Sequence, residues 1–297
     1  MIQRTALLFL AVTTLFIGSV FILRQFKNQT FPVVQREPLK EFEIIGDEEE
    51  SVRITPEVLL SSPLVIFGRG NATPFTPSAV IVETNRQRRE QGLPALTENS
   101  LLNSAAEMKV RDIFEQQYFD HVSPTGAGPD SLARRVGYEY VSIGENLAMG
   151  SFGDEGALVE AWMQSPGHRA NILRSQFQEI GLAVGRGDYN GHPVLIAVQE
   201  FGRPLSSCPI VSSALRRDID TKKTQLSALS RTLESLRLDL DIENTSSTSD
   251  MSTYQNKINL YNNEVTEYNI LVAAIKEKTG IYNTEVRAFN NCLNVSL

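Results

Sequence analysis

Two series of apolar positions, spaced alternately by three and four residues, dominate the C-terminal third of the chain. The first runs from Leu215 to Leu240, interrupted only by Lys222, and the second runs from Met251 to Leu293, interrupted only by Thr279. A stretch without apolar residues separates them near 243–249. Such spacing places an apolar stripe along a helix, and two such helices joined by a polar turn form an antiparallel pair. We therefore predict an α-helical coiled-coil hairpin over residues 208–297.

Residues 77–204 mix helical and strand patterns. Apolar positions at helical spacing predict one helix ending near Gln91, a second after the N-cap Asn99, and a third over 156–163. Two strand-like runs follow at 179–186 and 193–201, and the Asn190-Gly191 pair between them is a strong hairpin-turn signal. A helix-rich half followed by an antiparallel hairpin predicts an α+β domain.

The first 27 residues contain an uncharged apolar run from Thr5 to Leu23. As a helix this run would span about 28 Å, close to the thickness of the hydrocarbon core of a bilayer. A cleaved signal peptide is the alternative, but no small-x-small cleavage site ends the run. We predict a single-pass cell-membrane protein whose bulk is extracytoplasmic, or a secreted protein if residues 1–27 are removed.

Residues 28–76 are rich in proline and carry an acidic run at 47–50, which predicts an extended linker. One short apolar patch within them, residues 64–67, could pair as a strand or dock on the following domain.

Charge and cysteine content narrow the possible functions. The chain has 28 basic and 35 acidic residues, a formal net charge of −7, which argues against nucleic-acid binding. Cys208 precedes the first heptad helix and Cys292 ends the second, so folding back brings them together. We predict a Cys208–Cys292 disulfide in an oxidising compartment; two free or intermolecular thiols are the alternative.

The candidate chemistry lies in the middle domain. His121 and His168 sit in loops bounded by proline and glycine, and Glu145 stands between Gly144 and Asn146. Two histidines and a glutamate can bind a divalent metal with an open coordination position. They can equally form an acid–base pair, or simply lock loops through hydrogen bonds.

Six motifs in order strongly resemble the CAP superfamily (cysteine-rich secretory protein, antigen 5 and pathogenesis-related 1, also called SCP-like), in its bacterial extracellular branch. The resemblance covers about residues 78–203. The motifs are Val82-Glu83-Thr84-Asn85-Arg86, His-x-Ser-Pro-x-Gly at 121–126, Gly-Glu-Asn at 144–146, Trp-x-x-Ser-Pro-Gly-His-Arg-x-Asn-Ile-Leu at 162–173, Phe-Gln-Glu-Ile-Gly at 177–181, and Ala-Val-Gln-Glu-Phe-Gly at 197–202.

The resemblance implies an α-β-α sandwich with an open cleft that holds two histidines and two glutamates. His121, Glu145 and His168 match three of these positions, whereas Ser165 stands where the second glutamate is usual. Without the second glutamate, two alternatives remain. Either His121 and His168 bind Zn or Mg, with water as the further ligands, or the cleft is polar and has no catalytic role.

The resemblance also implies a binding module for a divalent metal, a lipid, a protein or another cell-envelope ligand. The alternative is a secreted protease or esterase that uses His121, Glu145 and His168 as catalytic candidates. In a third interpretation, the coil is a homo-oligomeric stalk.

Overall fold

The computed structural model describes residues 50–66, 75–245 and 250–294. The predicted membrane segment over 1–27, and much of the predicted linker, lie outside these ranges. Within them, no helix combines the length and apolar character needed to cross a bilayer.

The central domain contains five helices, whose ends follow from local signals. The side chain of Asn99 caps the second helix by accepting from the backbone amides of Leu101 and Leu102, and Asp154 caps the fourth by accepting from Ala157. Proline in the first turn begins the other three. The helices are α1 (Pro77–Glu90), α2 (Ser100–Gln116), α3 (Pro129–Arg135), α4 (Glu155–Gln164) and α5 (Pro166–Ile172).

Six strands of the described residues form one mixed sheet: β1 (Glu57–Leu60), β2 (Leu64–Ile66), β3 (Thr97–Glu98), β4 (Tyr140–Gly150), β5 (Glu179–Tyr189) and β6 (His192–Pro204). Their order is β1-β4-β6-β5-β3, with β2 also paired to β4. The predicted hairpin joins β5 to β6, and both residues of its Asn190-Gly191 turn have positive φ. This sheet is mixed because β1 and β2 run parallel to β4, whereas β6 runs antiparallel to it.

Helices cover both faces of the sheet, because side chains alternate across each strand. On one face α1, α4 and α5 pack around the fully buried Trp162. On the other face α2 packs on β4, β5 and β6 through Ala106, Val110 and Ile113, and α3 packs beside it through Ala133. The central domain is therefore an α-β-α sandwich.

The structure differs from the prediction of an extended linker over 28–76. Glu57–Leu60 and Leu64–Ile66 are strands of the domain sheet. The apolar patch at 64–67 indicated pairing only for the second of them. Leu59 turns inward from β1 and, like Leu64 and Ile66, packs against the Trp162 cluster.

Two long helices form the C-terminal part, α6 (Ser213–Thr245) and α7 (Met251–Asn294). They run antiparallel, because Glu243 pairs with Lys257 while Asp218 pairs with Lys278 at 2.8 Å. Apolar residues from both predicted series form one cluster between them. The first helix continues to Thr245, three residues into the stretch predicted as a loop. Coiled-coil packing in the strict sense stays a prediction.

The chain divides into two compact units, with the boundary inside α7. One unit contains the helical pair over 213–281, and the other joins residues 50–212 to 282–294. Within the second unit, Cys208 and Cys292 form the predicted disulfide, which links positions 84 residues apart. Val141 and Phe289 pack beside it.

Candidate functional site

Both ring nitrogens of His121 are engaged. The loop after α2 carries His121 to β4, where its Nδ1 lies 2.5 Å from Glu145 Oε1. Its Nε2 contacts the backbone carbonyl oxygen of Ser61. A carboxylate and a carbonyl only accept hydrogen bonds, so this arrangement favours a ring that is protonated on both nitrogens. Burial lowers the pKa of His121, but the hydrogen bond to Glu145 and the charge of that carboxylate outweigh burial, and the net pKa is raised.

Glu145 faces a second carboxyl group. Glu145 on β4 and Glu200 on β6 are direct cross-strand partners, and both are fully buried. Burial, and then the nearby Glu145, raise the pKa of Glu200 well above its ordinary value. Glu145 Oε2 and both Glu200 oxygens have no donor from other side chains or backbone. A proton held by Glu200 supplies the missing hydrogen-bond donor, because a protonated carboxyl group can donate to Glu145.

A buried lysine completes this cluster. Lys109 projects from α2, has no exposed surface, and donates from Nζ to the carbonyl of His121 at 2.6 Å and to the hydroxyl of Tyr118 at 3.0 Å. Burial lowers the pKa of Lys109, while the carboxyl groups of Glu145 and Glu200 oppose that shift. Lys109 therefore holds the loop that positions His121 and supplies positive charge near the two acids.

His168 is held separately, on α5. Its Nδ1 lies 2.7 Å from the hydroxyl of Ser165, and its buried Nε2 has no partner in hydrogen-bonding geometry. Burial lowers the pKa of His168 to about 4, against an opposing contribution from the backbone of Leu147; the positive charge of His121 lowers it further. His168 is therefore a neutral imidazole at physiological pH.

An amide network on the other face of the sheet ties these parts together. Asn146 donates from Nδ2 to Gln199 Oε1 at 3.0 Å and to the carbonyl of His168 at 3.2 Å. Its Oδ1 accepts from Asn171 Nδ2 and from the hydroxyl of Ser61, each at 3.0 Å. The network fixes α5 and Ser61 against the middle of β4.

The structure brings His121 and Glu145 into direct contact, and it places His168 nearby without a hydrogen bond to either. As arranged, these residues do not fit a metal ion, because both nitrogens of His121 are occupied and Ser165 supplies only a hydroxyl. In the described ranges, no three His, Cys, Asp or Glu side chains gather as a metal site would require. Metal binding through His121 and His168 stays a prediction, and it needs the Ser61 carbonyl to leave.

Two serines, Ser123 and Ser165, lie close in sequence to the candidate histidines and have different surroundings. Ser123 bonds to Thr125 at 2.8 Å and accepts from the amide of Ala127, which locks the turn after His121. Ser165 alone touches an imidazole, but the far side of His168 carries no carboxylate to orient the ring as in a triad.

Sequence reasoning missed three residues of this site. Lys109 lies on the same helical stripe as Leu102, Ala106 and Ile113, so its spacing signals burial. Glu200 lies within a run of β6, residues 195–203, that is buried throughout, and the sequence marked it only as part of a motif. Ser61 carries no local signal, because its role depends on pairing 85 residues along the chain.

Comparison with known proteins identifies the family of the central domain. Residues 82–201 match the CAP family, described as the cysteine-rich secretory protein family. Over 119 residues the chain is 40% identical to "Uncharacterized protein YkwD" of Bacillus subtilis, covering 38% of this chain and 46% of that protein. It is 31% identical over 106 residues to "Uncharacterized membrane protein YlbC" of the same organism, covering 36% of this chain and 30% of that protein. The chain thus spans less than half the length of these relatives.

Two solved bacterial structures are also similar to this chain. An extracellular protein containing an SCP domain from Bacillus anthracis is 28% identical, with a TM-score of 0.37, covering 44% of this chain and 45% of that one. An outer surface protein from Borrelia burgdorferi is 21% identical, with a TM-score of 0.37, covering 43% of this chain and 91% of that one. The motifs and the family match over residues 82–201 lead to one conclusion: this chain carries a CAP domain of the cysteine-rich secretory protein family.

Proposed function

We propose that this protein is a binding module of the cell envelope, held at the membrane by its N-terminal segment, and that its CAP domain does not act by catalysis. The observation that carries the proposal is the closed set of contacts around His121. Its two nitrogens are taken by Glu145 and by the Ser61 carbonyl, so the ring has no lone pair for a proton or an ion. A general base needs such a lone pair.

The tether is supported by the uncharged run over 5–23 and by the name of one relative, a membrane protein of Bacillus subtilis. An extracytoplasmic position is further supported by the Cys208–Cys292 disulfide, because disulfides persist in oxidising compartments. Together these features favour a protein that is anchored in the membrane and works outside the cytoplasm.

Among the expected ligands, a protein or lipid fits this site better than a divalent ion. Neither needs a free nitrogen on His121, whereas an ion does. Calorimetric titration of the full chain with Zn²⁺ tests this ranking of ligands, with His168→Ala as the comparison. A binding heat that is present in the parent protein and absent in His168→Ala would favour the divalent ion instead.

Activity profiling separates binding from hydrolysis, the alternative that the Ser165–His168 contact favours. The full chain in detergent micelles is incubated with peptide and ester libraries beside His168→Ala and Ser165→Ala. We expect equal product formation from all three proteins, at the level of buffer. Turnover that both substitutions abolish would establish the hydrolase instead.

The tether is tested by fractionating cells that produce the full chain or a chain in which another signal peptide replaces residues 1–27. We expect the full chain in the membrane fraction and the replaced chain in the medium. If cells that produce the full chain instead release a shortened protein into the medium, with its N-terminus after residue 27, the segment is cleaved and the protein is secreted.

A further inference from the structure

A segment outside the family match fills the edge of the domain sheet. Residues 57–66, here called the strap, lie parallel to β4. Glu57–Leu60 pair with residues 142–145, and Leu64–Ile66 pair with 148–150. Three strap residues therefore lie opposite only two residues of β4, at 61–63. An extra residue of this kind bends a strand, and here it turns Ser61 towards the site.

Ser61 meets the candidate site with both its backbone and its side chain. Its carbonyl contacts Nε2 of His121, and its hydroxyl donates to Asn146 Oδ1 at 3.0 Å. The side chain is nearly fully buried. One strap residue thus occupies the polar groups that a ligand of His121 would use.

Glycines of the CAP domain make room for the strap backbone. A Cβ built on Gly150 would lie 1.9 Å from the carbonyl oxygen of Ile66. A Cβ on Gly167 would lie 3.0 Å from Ser61 Cβ, and the atoms it meets within 4 Å all belong to Ser61. A Cβ at Gly150 would overlap the strap backbone, and one at Gly167 would push Ser61 by a few tenths of an ångström, so β4 and the start of α5 form a groove that closely fits an extended backbone.

Side chains set the direction and register of the strap. Leu59, Leu64 and Ile66 face inward onto the Trp162 cluster, while Val58, Leu60 and Val65 are exposed. Glu57 pairs with Arg174 at 2.8 Å at the entrance. Just upstream, the backbone of Ser51 and Arg53 bonds to Asn290 on the last turns of α7.

We propose that this groove is a binding site for an extended peptide added parallel to β4, and that the strap fills it in cis. The peptide class is defined by the strap: an inward-facing apolar residue, a small hydroxyl residue two positions later, and further inward-facing apolar residues after a bulge. A peptide from another chain must displace the strap to reach His121. This inference rests on the proposed binding function and names the ligand class of the same site.

Peptide binding in trans tests the groove. A fluorescent peptide with the sequence of residues 55–67 is titrated into the full chain and into a full-length variant whose residues 57–66 are a Gly-Ser repeat. A covalently attached strap competes at an effective concentration in the millimolar range, so we expect the variant to bind at least about tenfold more tightly. The control peptide carries Ser61→Tyr, which is too large for the space at Gly167, and we expect it not to bind.

Hydrogen exchange covers the case in which the Gly-Ser variant does not fold. Gly167→Leu adds a Cβ whose contacts within 4 Å all belong to Ser61 of the strap, and Gly153→Leu is the matched control because a Cβ there meets nothing within 4 Å. We expect the amides of residues 57–66 to exchange about tenfold faster in Gly167→Leu than in the control, with β5 and β6 unchanged. Unchanged strap exchange, or a folded Gly-Ser variant that ignores the peptide, overturns the proposal.

These outcomes are separable from those of the proposed function. A peptide that binds and is then cleaved would refute non-catalytic binding and leave the groove in place. Absent peptide binding with absent turnover would refute the groove and leave the envelope binding module.

Discussion

Replacing Glu145 with glutamine removes the negative charge beside His121 and changes the shape of the site very little. Burial lowers the pKa of His121, and the hydrogen bond to Glu145 is the largest of the causes that raise it. With a neutral amide, the imidazolium loses that support and the pKa of His121 falls. Nε2–H can still donate to Ser61, but the ring is then singly protonated.

The stability change follows from the same contact. Removing one partner from a buried ion pair costs about 3–5 kcal/mol, and the glutamine retains a neutral hydrogen bond worth about 1 kcal/mol. We therefore expect Glu145→Gln to lower the free energy of unfolding by about 2–4 kcal/mol. A raised folded-state pKa stabilises the protein below the ordinary value of 6.5, and that stabilisation is lost as pH rises through the folded pKa. The loss in Glu145→Gln should accordingly be largest at acidic pH.

The assay is urea denaturation of the full chain between pH 5 and 8, followed by circular dichroism, with the His121 ring protons titrated by NMR. Glu107→Gln is the control, because Glu107 is an exposed residue of α2. Equal unfolding free energies for the two variants at every pH, with an unmoved His121 titration, would refute the ion-pair reasoning.

Three further predictions concern the same domain. Cys208→Ser opens a loop of 84 residues, so unfolding free energy should fall by about 4–5 kcal/mol; the oxidised parent protein should lose the same amount on reduction, and equal denaturation midpoints would contradict this. Burial lowers the pKa of His168 to about 4, so the stability gained by keeping this ring neutral is complete above the ordinary pKa of 6.5. Up to about 3 kcal/mol of that stability is lost as pH falls towards 4. His168→Gln should make the free energy of unfolding fall less steeply in acid, and an unchanged acid dependence would argue against a buried neutral ring. Lys109→Met removes two buried hydrogen bonds from a charged donor, so it should lower the free energy of unfolding by about 3 kcal/mol. The control Arg111→Met, on the exposed side of α2, should change that free energy by less than about 0.5 kcal/mol. Equal losses in the two variants would refute the role of Lys109.

Local pattern was sufficient for much of the secondary structure. The cap at Asn99, the turn at Asn190-Gly191 and the helical spacing over 156–163 each act within a few residues, and each is found in the structure. The two heptad series likewise predicted two long helices, whose shared apolar cluster is present. Helix α6 extends past its predicted limit, and so do β5 and β6, which end at Tyr189 and Pro204.

The site was predictable in part. The motifs identified His121, Glu145 and His168, and burial of Lys109 follows from its helical spacing. Which atoms meet could not be derived from spacing, because the His121–Glu145 contact depends on how a loop after α2 reaches a neighbouring strand. The departure at Ser165 was visible in the sequence, yet its bond to His168 was not.

The chain's own sequence determined part of the secondary structure, the cysteine pair and the three site residues, because those signals come from neighbours along the chain and from motif order. It did not predict the strands β1 and β4 or the helices α3 and α5. Only the tertiary structure decided that Glu200 faces Glu145 and that the Ser61 carbonyl contacts Nε2 of His121. Strand register and edge pairing join residues that are 55 or more positions apart in the chain. Such pairing is set by burial and backbone hydrogen bonding in the assembled sheet, and no short stretch of sequence contains both partners.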